Sequence, residues 1–292
     1  MFEFLQLMVG ALQLGAIYSL AASGFVVIHK ATKTVNFAHG ALIMLGAYGA
    51  FASVTLLKLP YVVAYLAVPV AVGIVAALVE WLILRPLRRA DIFSVIMATV
   101  FLGVGIMELI RLAYQTELLS IPPVFHGTLL TLTSGIAISK ELVWISAGAV
   151  VTVVLAIVVF ERLAIGRGMR AMASNYRGAQ LCGYSVPITY ASAWFFGGYL
   201  AGMAGVFLAP AMGISPDLAT ALIVPAFVAA VIGGFDSLRG VIVGGFVLAI
   251  METLAAAYIS SPAKSAASFV LVFIMLLIRP QGLFTEGARR NA

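Results

Sequence analysis

The stretch Asn36-Phe37-Ala38-His39-Gly40 lies between two long apolar runs, Leu5–Ile28 and Ala41–Leu57, and its reading decides the fold. An amide and an imidazole do not enter hydrocarbon without cost, so a polar interruption between two membrane-length runs needs a physical reason. The reason read from the residues is a membrane helix interrupted at this point.

Composition sets the class outward from that stretch. Of 292 residues, 63% are hydrophobic and 10% charged, and the mean hydropathy is +1.13. Soluble domains carry roughly 25% charged residues, so this is an integral membrane protein. Leu and Phe run along the whole length, which excludes a single anchor on a soluble domain. The net charge is +6, but the basic residues cluster between apolar runs. That pattern suits loops facing the cytoplasm and an anionic lipid bilayer, and no nucleic-acid partner is expected. Glu3 is acidic and the first lysine is Lys30, so the first apolar run is read as retained rather than cleaved. The single cysteine, Cys182, cannot form an intrachain disulfide. No G-x-x-x-x-G-K-[ST] loop occurs, which excludes ATP hydrolysis by that route.

A helical span needs roughly 20 apolar residues. By that measure the expected architecture is an all-α polytopic membrane protein with about eight or nine spans, one of them broken or re-entrant. The spans read as Leu5–Ile28, Phe37–Leu57, Tyr61–Leu84, Ile92–Tyr114, Leu142–Phe160, Ile188–Pro210, Ala221–Gly234, Val241–Ile259 and Ala266–Ile278. The seventh is short and bounded by Pro225 and Gly233-Gly234, which makes it the re-entrant candidate. Residues 1–292 read as a single transmembrane domain. Three basic clusters, Arg85 with Arg88 and Arg89, Arg162 to Arg177, and Arg279 with Arg289 and Arg290, are separated by even numbers of spans. All three then face the cytoplasm, with the N-terminus outside and the C-terminus inside. Two loops are longer than the rest. Thr116–Glu141 is outside in this topology and long enough to meet a partner or form a short surface helix. Glu161–Pro187 is cytoplasmic, and its Pro-free centre Met169–Leu181 suits a helix lying along the membrane surface.

Several residues invite a role. Glu108 and Arg111, three apart, share a helix face and suit a mutual ion pair, and Glu80 is read as pairing near Arg85. Glu252 lies well inside the eighth span with no basic residue within a helical turn. An unpaired charge there costs roughly 2.5–3.5 kcal/mol, so it is expected to be protonated, hydrogen-bonded inside the bundle, or facing a wet cavity as part of a pathway. Gly198 and Gly202 with Gly205, and Gly240 and Gly244 with Gly245, read first as close helix packing. His39 has no second ligand at metal spacing, so no metal is expected. Gly40 reads as a fresh helix start; with Asn36 as its cap, the free backbone N–H groups would face an anionic solute group.

At these residues a resemblance becomes specific. "GAIYSLAASGFVVIHKATKTVNFAHGALIMLGAY" resembles the opening of the branched-chain amino-acid ABC-transporter permease family, LivH type. "GRGMRAMASNYRGAQLCGYSV" is similar to that family's cytoplasmic loop, and "GGYLAGMAGVFLAP" to its next helix. "GGFDSLRGVIVGGFVLAIMETL" and "RPQGLF" match its end. The resemblance implies a non-enzymatic permease in the bacterial inner membrane that pairs with a second, LivM-like permease subunit. Two cytoplasmic subunits would use ATP and Mg, leaving this chain without a cofactor, and a periplasmic binding protein would deliver the solute. It implies that the loop at about 161–187, with Arg170, Ala171, Ser174, Asn175, Ala179 and Gly183, docks onto an ATPase subunit. It places Asn36, His39 and Gly40 beside the pathway and matches Glu252 to an acidic position of the family. The loop's "SNYRGA" stands where the family commonly carries acidic residues, Asp236 stands where a Gly is usual, and Thr285 where a Gly is frequent.

The solute expected is a branched-chain or other small amino acid. Urea or a short amide, which the same family carries, is the alternative within it. An ion-coupled secondary transporter with Glu252 as proton carrier is the alternative from another class.

Overall fold

The structure is a computed structural model that describes residues 2–114, 118–131 and 137–284. Arg289, Arg290 and Thr285 lie outside the described residues, as does part of the Thr116–Glu141 loop. Eleven α-helices are described. They are α1 (Phe2–Thr32), α2 (His39–Phe51), α3 (Tyr61–Val79), α4 (Ile92–Tyr114), α5 (Lys140–Arg162), α6 (Ala164–Ser174), α7 (Tyr176–Leu181), α8 (Val186–Met212), α9 (Leu218–Gly233), α10 (Leu238–Tyr258) and α11 (Ala263–Ile278). Helices α2 and α3 each run on into a π-helical turn, Ala52–Leu56 and Glu80–Leu84. Among the described residues seven helices, α1, α8 and α10 included, are long and apolar enough to cross a membrane. The two 16-residue helices α9 and α11 are apolar but shorter. The chain is a multi-pass helical membrane protein.

Lipid offers no hydrogen bonds, so each span must satisfy its backbone internally, and helices do so. Between helices, packing replaces the hydrophobic drive, and α1 is the hub. It runs through the middle of the bundle, packed on α8, α10, α5 and α9. Ala16, Leu20, Ala21, Val26 and Ile28 are all fully buried. Glycines set the closest approaches. Gly198 and Gly202 lie against α3, and Gly205 lies against the backbone of Ile43 and Ala47 in α2. Gly240 and Gly244 lie against Gly233 and Ala229 of α9, and Gly245 lies against Ser19 and Gly15 of α1. Pro225 sits inside α9 without breaking it, so this segment is one continuous helix rather than two half-helices.

The contacts define two faces. On one, Lys33 pairs with Asp236 at 2.8 Å and Arg239 with Glu161 at 2.6 Å. Arg88 pairs with the buried Glu80 and lies 4.8 Å from the centre of the Tyr190 ring. The partner of Glu80 is thus Arg88 rather than Arg85, because the π-helical turn and the following 3-10 turn Pro86–Arg89 carry Arg88 back toward it. On the opposite face Arg111 bonds Glu108 at 2.8 Å and Asp217 at 3.3 Å. In the long loop β1 (Thr128–Thr131) pairs antiparallel with β2 (Ala137–Ser139), and Gln6 bonds Ala137.

The motifs at the chain's end interlock on the basic face. Gly234 and Gly282 adopt positive φ, 98° and 83°, and pack on each other. The backbone N–H groups of Leu283 and Phe284 donate to the carbonyls of Ile232 and Gly233, satisfying the open end of α9. Ser237 caps α10 by accepting from the Gly240 N–H at 3.1 Å. Burial pushes the Asp236 carboxyl up, but the hydrogen bond and charge of Lys33, with His29 and Lys30 nearby, outweigh it and hold the group below the usual carboxylate range. A depressed carboxylate adds stability above its unfolded pKa and loses it as pH falls through the folded value. The Lys33–Asp236 tie therefore persists at neutral pH and opens only in acid.

Candidate functional site

The chain does not turn straight back after α1. Lys33 takes a left-handed conformation, φ 57°, its N–H bonding the His29 carbonyl at 2.7 Å, and residues 33–38 leave the helix. Three neighbours fix where they go. His39 Nε2 lies 2.8 Å from the carbonyl of Ala21, eleven residues before the Thr32 end of α1, or about 16 Å at 1.5 Å per residue. The Phe37 N–H donates to Thr99 Oγ1 at 3.2 Å, and Gly103 packs on Ala38. Both lie about 10–17 Å along α4 from its Ile92 end. Gly40 packs on Ala219 and Ile223 near the start of α9, whereas Lys33 is tied beside its end. Asn36–Gly40 therefore sits about halfway through a hydrocarbon layer of roughly 30 Å, reached by a short re-entrant segment.

Asn36 and His39 are 1% and 0% exposed. Asn36 Oδ1 accepts from the Ala38 N–H at 2.9 Å, and its backbone carbonyl accepts from His39. Asn36 thus turns the chain ahead of the helix; the cap position itself is Ala38, with no side-chain cap bond. A carbonyl only accepts, so the His39 Nε2 facing Ala21 carries the proton and Nδ1 is a bare acceptor. Neither His39 Nδ1 nor Asn36 Nδ2 has a partner among the described residues. Polar atoms left unpaired in such surroundings are costly and call for an explanation. Thr99, Gly103 and Ile110 are the buried residues of α4, so the helix covering Phe37 and Ala38 is lightly attached.

Glu252 is 1% exposed and accepts from Tyr18 Oη of α1 at 2.8 Å and from Ser268 Oγ of α11. Lys264 Nζ of α11 lies 3.8 Å away. The reading of Glu252 as lacking a basic partner is corrected here, since the partner comes from another helix. Glu252→Gln keeps an acceptor for Tyr18 and is expected to leave folded yield and the pH dependence of uptake nearly unchanged. Glu252→Leu leaves two buried hydroxyls unpaired, at roughly 1–3 kcal/mol each, and is expected to lower the melting temperature in detergent clearly. Equal melting curves for the two variants would refute the tie.

On the basic face the stretch Met169–Leu181 is two helices rather than one. It breaks at Asn175, an extended residue whose side chain accepts from the Gly178 N–H at 2.9 Å and caps α7. Ala179 is buried with Met172 and Val186, which holds α7 onto α6 and α8. Arg170 donates to the carbonyls of Phe160 and Glu161, so its guanidinium closes the end of α5. Ser174, Asn175 and Gly183 are exposed, Ala171 is half-buried, and Leu181 is 90% exposed. Sequence reasoning passed over Leu181; a leucine closing the short helix YRGAQL, beside Arg177 and Gln180, was the signal.

Residues 7–279 match the family described as the permease component of branched-chain amino acid transport systems. The chain belongs to that permease family. Relatives include the high-affinity branched-chain amino acid permease protein LivH of Escherichia coli, 29% identical over 96% of this chain and 95% of that one. BraD of Pseudomonas aeruginosa, also named as such a permease protein, is 26% identical over 97% and 96%. A probable LivH of Methanocaldococcus jannaschii is 27% identical over 94% and 90%. Among solved structures, PsaBC from Streptococcus pneumoniae in complex with Fab superposes with a TM-score of 0.48 at 14% identity, covering 96% of this chain and 93% of that one. Family members are thus matched along nearly their whole length, and the re-entrant motif, the two-helix loop and the interlocked end all lie within the matched region or at its edge.

Proposed function

We propose that this chain is the pathway-forming permease subunit of an ATP-driven importer for branched-chain or other small amino acids. The observation that carries the reading is the Asn36–Gly40 motif, held about halfway through the bundle with an unspent acceptor on His39 and unspent donors on Asn36. A zwitterionic amino acid offers the complement, an ammonium for His39 Nδ1 and a carboxylate for the Asn36 amide. Glu252 enters this reading as the buried tie behind α1. The family to which the chain belongs supports partners of the ABC type: a second permease subunit, two ATPase subunits that dock at α6 and α7, and a periplasmic binding protein. Orientation is supported by charge. Lys33, Arg88, Arg170 and Arg239 mark one face, which we take as cytoplasmic, putting the N-terminus outside and the C-terminus inside a bacterial inner membrane.

Reconstitution tests this. The chain alone in liposomes is expected neither to accumulate leucine nor to hydrolyse ATP. Adding the ATPase, second permease and binding-protein subunits should give ATP-dependent leucine uptake, with His39→Leu reducing it at least tenfold. Uptake by the lone chain under a pH gradient would overturn the importer reading in favour of a secondary transporter. ATP-driven uptake of urea but not leucine would overturn the solute.

A further inference from the structure

A cavity of about 480 Å³ opens between α1, α3, α5, α6 and α8, away from the polar motif. Its walls are almost wholly apolar; Ala156, Phe160, Ile165, Met169, Leu200 and Met203 line it. We propose that it binds one acyl chain of an anionic phospholipid, whose phosphate rests on the basic corner where α5 meets α6. This goes beyond the transport reading and does not depend on which solute is carried.

Shape and depth argue for a lipid tail. Along α5 the lining runs from Thr152 to Phe160 and along α8 from Phe195 to Met203, about 12 Å of helix in each case. One leaflet of a hydrocarbon core of roughly 30 Å is close to that length. The slot starts beneath α6, an amphipathic helix that buries Gly166, Met169 and Met172, and ends toward the middle of the layer. A slot this apolar at this depth has hydrocarbon as its solvent. It runs between helices and is bounded by α6 at one end, which distinguishes it from the outer surface.

Charge at the entrance argues for an anionic headgroup. The Phe160 ring forms part of the wall and carries Lys30 Nζ at 4.9 Å and the Arg170 guanidinium carbon at 5.6 Å. Arg162 and Arg167 follow at the same corner, tied by a bond from Arg167 Nη1 to the Arg162 carbonyl at 3.0 Å. Arg162 and Arg167 are thus exposed at this corner, with Arg170 and Lys30 against the Phe160 ring behind them, and the adjacent carboxylate Glu161 is paired with Arg239 at 2.6 Å. Basic pockets between spans near such an interface take phospholipid headgroups.

The test is lipid retention by the full chain, purified from membranes in its complex and exchanged into detergent. Native mass spectrometry with added phosphatidylglycerol or phosphatidylcholine reads the bound lipid. The wild-type chain should retain phosphatidylglycerol over phosphatidylcholine by roughly tenfold or more, the scale of two basic side chains at a membrane surface. Ala156→Trp, which fills the slot, should lose the retained lipid of both kinds. Arg162→Gln with Arg167→Gln should keep a bound lipid but lose the preference, so the two variants separate tail from headgroup even if one folds poorly. Equal retention in wild type and both variants overturns the proposal. A partner helix crosslinked into the slot through a cysteine at Ala156 also overturns it.

Discussion

Gly205→Leu is expected to abolish accumulation of folded chain, to less than a tenth of the wild-type amount in membranes. A Cβ at this position meets the Ile43 carbonyl, the Ala47 nitrogen and the Gly46 carbonyl carbon, all backbone atoms of α2. Backbone cannot rotate out of the way as a side chain can, so α2 and α8 would have to separate. That separation would also lift Gly46 off Gly202, the other close approach in the same crossing. Overpacking of a well-packed core typically costs about 1–3 kcal/mol, and here no flexible atom absorbs it. In lipid nothing compensates, because helix association rests on this contact rather than on escape from water. About 1.4 kcal/mol already changes a folding equilibrium tenfold. Gly105→Leu is the control. Beyond its own helix turn, no atom of the described residues lies within 4 Å of a Cβ there, and folded yield should match wild type. Both variants would be read by fluorescence-detected size-exclusion chromatography; a normal peak for Gly205→Leu would refute the crossing.

The second large effect is expected at Leu181. Leu181→Asp should reduce ATP-driven uptake more than tenfold while leaving the amount and melting temperature of the isolated chain unchanged. The residue is 90% exposed at the end of α7 and close to the exposed Arg177. A large apolar side chain projecting this far from a loop, more exposed than Tyr176, Leu163 or Ile165 nearby, is the kind of anchor that a partner pocket buries, and such anchors carry most of an interface's energy. Arg170→Glu provides the contrast. Its guanidinium closes the end of α5, and losing charge-assisted bonds worth about 1.5–3 kcal/mol should cost folded chain before it costs docking. Co-purification of the ATPase with each variant separates the two outcomes. Full uptake by Leu181→Asp would remove α7 from the docking surface.

Much of the fold was legible because its causes are local. Apolar runs of membrane length became helices wherever they were read. The Glu108–Arg111 pair, three residues apart, formed as helix geometry requires, with Asp217 added from another loop. The break between α6 and α7 was not legible from the absence of proline. Asn175 ends one helix by bonding the Gly178 N–H that starts the next, a local competition that composition does not display. The partner of Glu252 was hidden for a different reason. Tyr18 is 234 residues away in sequence and Lys264 is on the neighbouring helix, so no window along the chain could hold them together.

The same division applies to Asn36–Gly40. By itself the sequence determined that the chain is a membrane protein, that its helices follow its apolar runs, and that a polar motif interrupts the second of them. Hydropathy and capping are properties of adjacent residues, and a bilayer without hydrogen-bonding solvent leaves helices as the answer for such runs. Tertiary structure alone decided the depth of the motif. Residues 33–38 have no periodicity that favours leaving the basic face. They climb because His39 meets the Ala21 carbonyl, Phe37 meets Thr99, and Gly40 lets α2 close onto α9. Each of those contacts joins helices far apart in sequence, and together they hold an amide and an imidazole where hydrocarbon alone would exclude them.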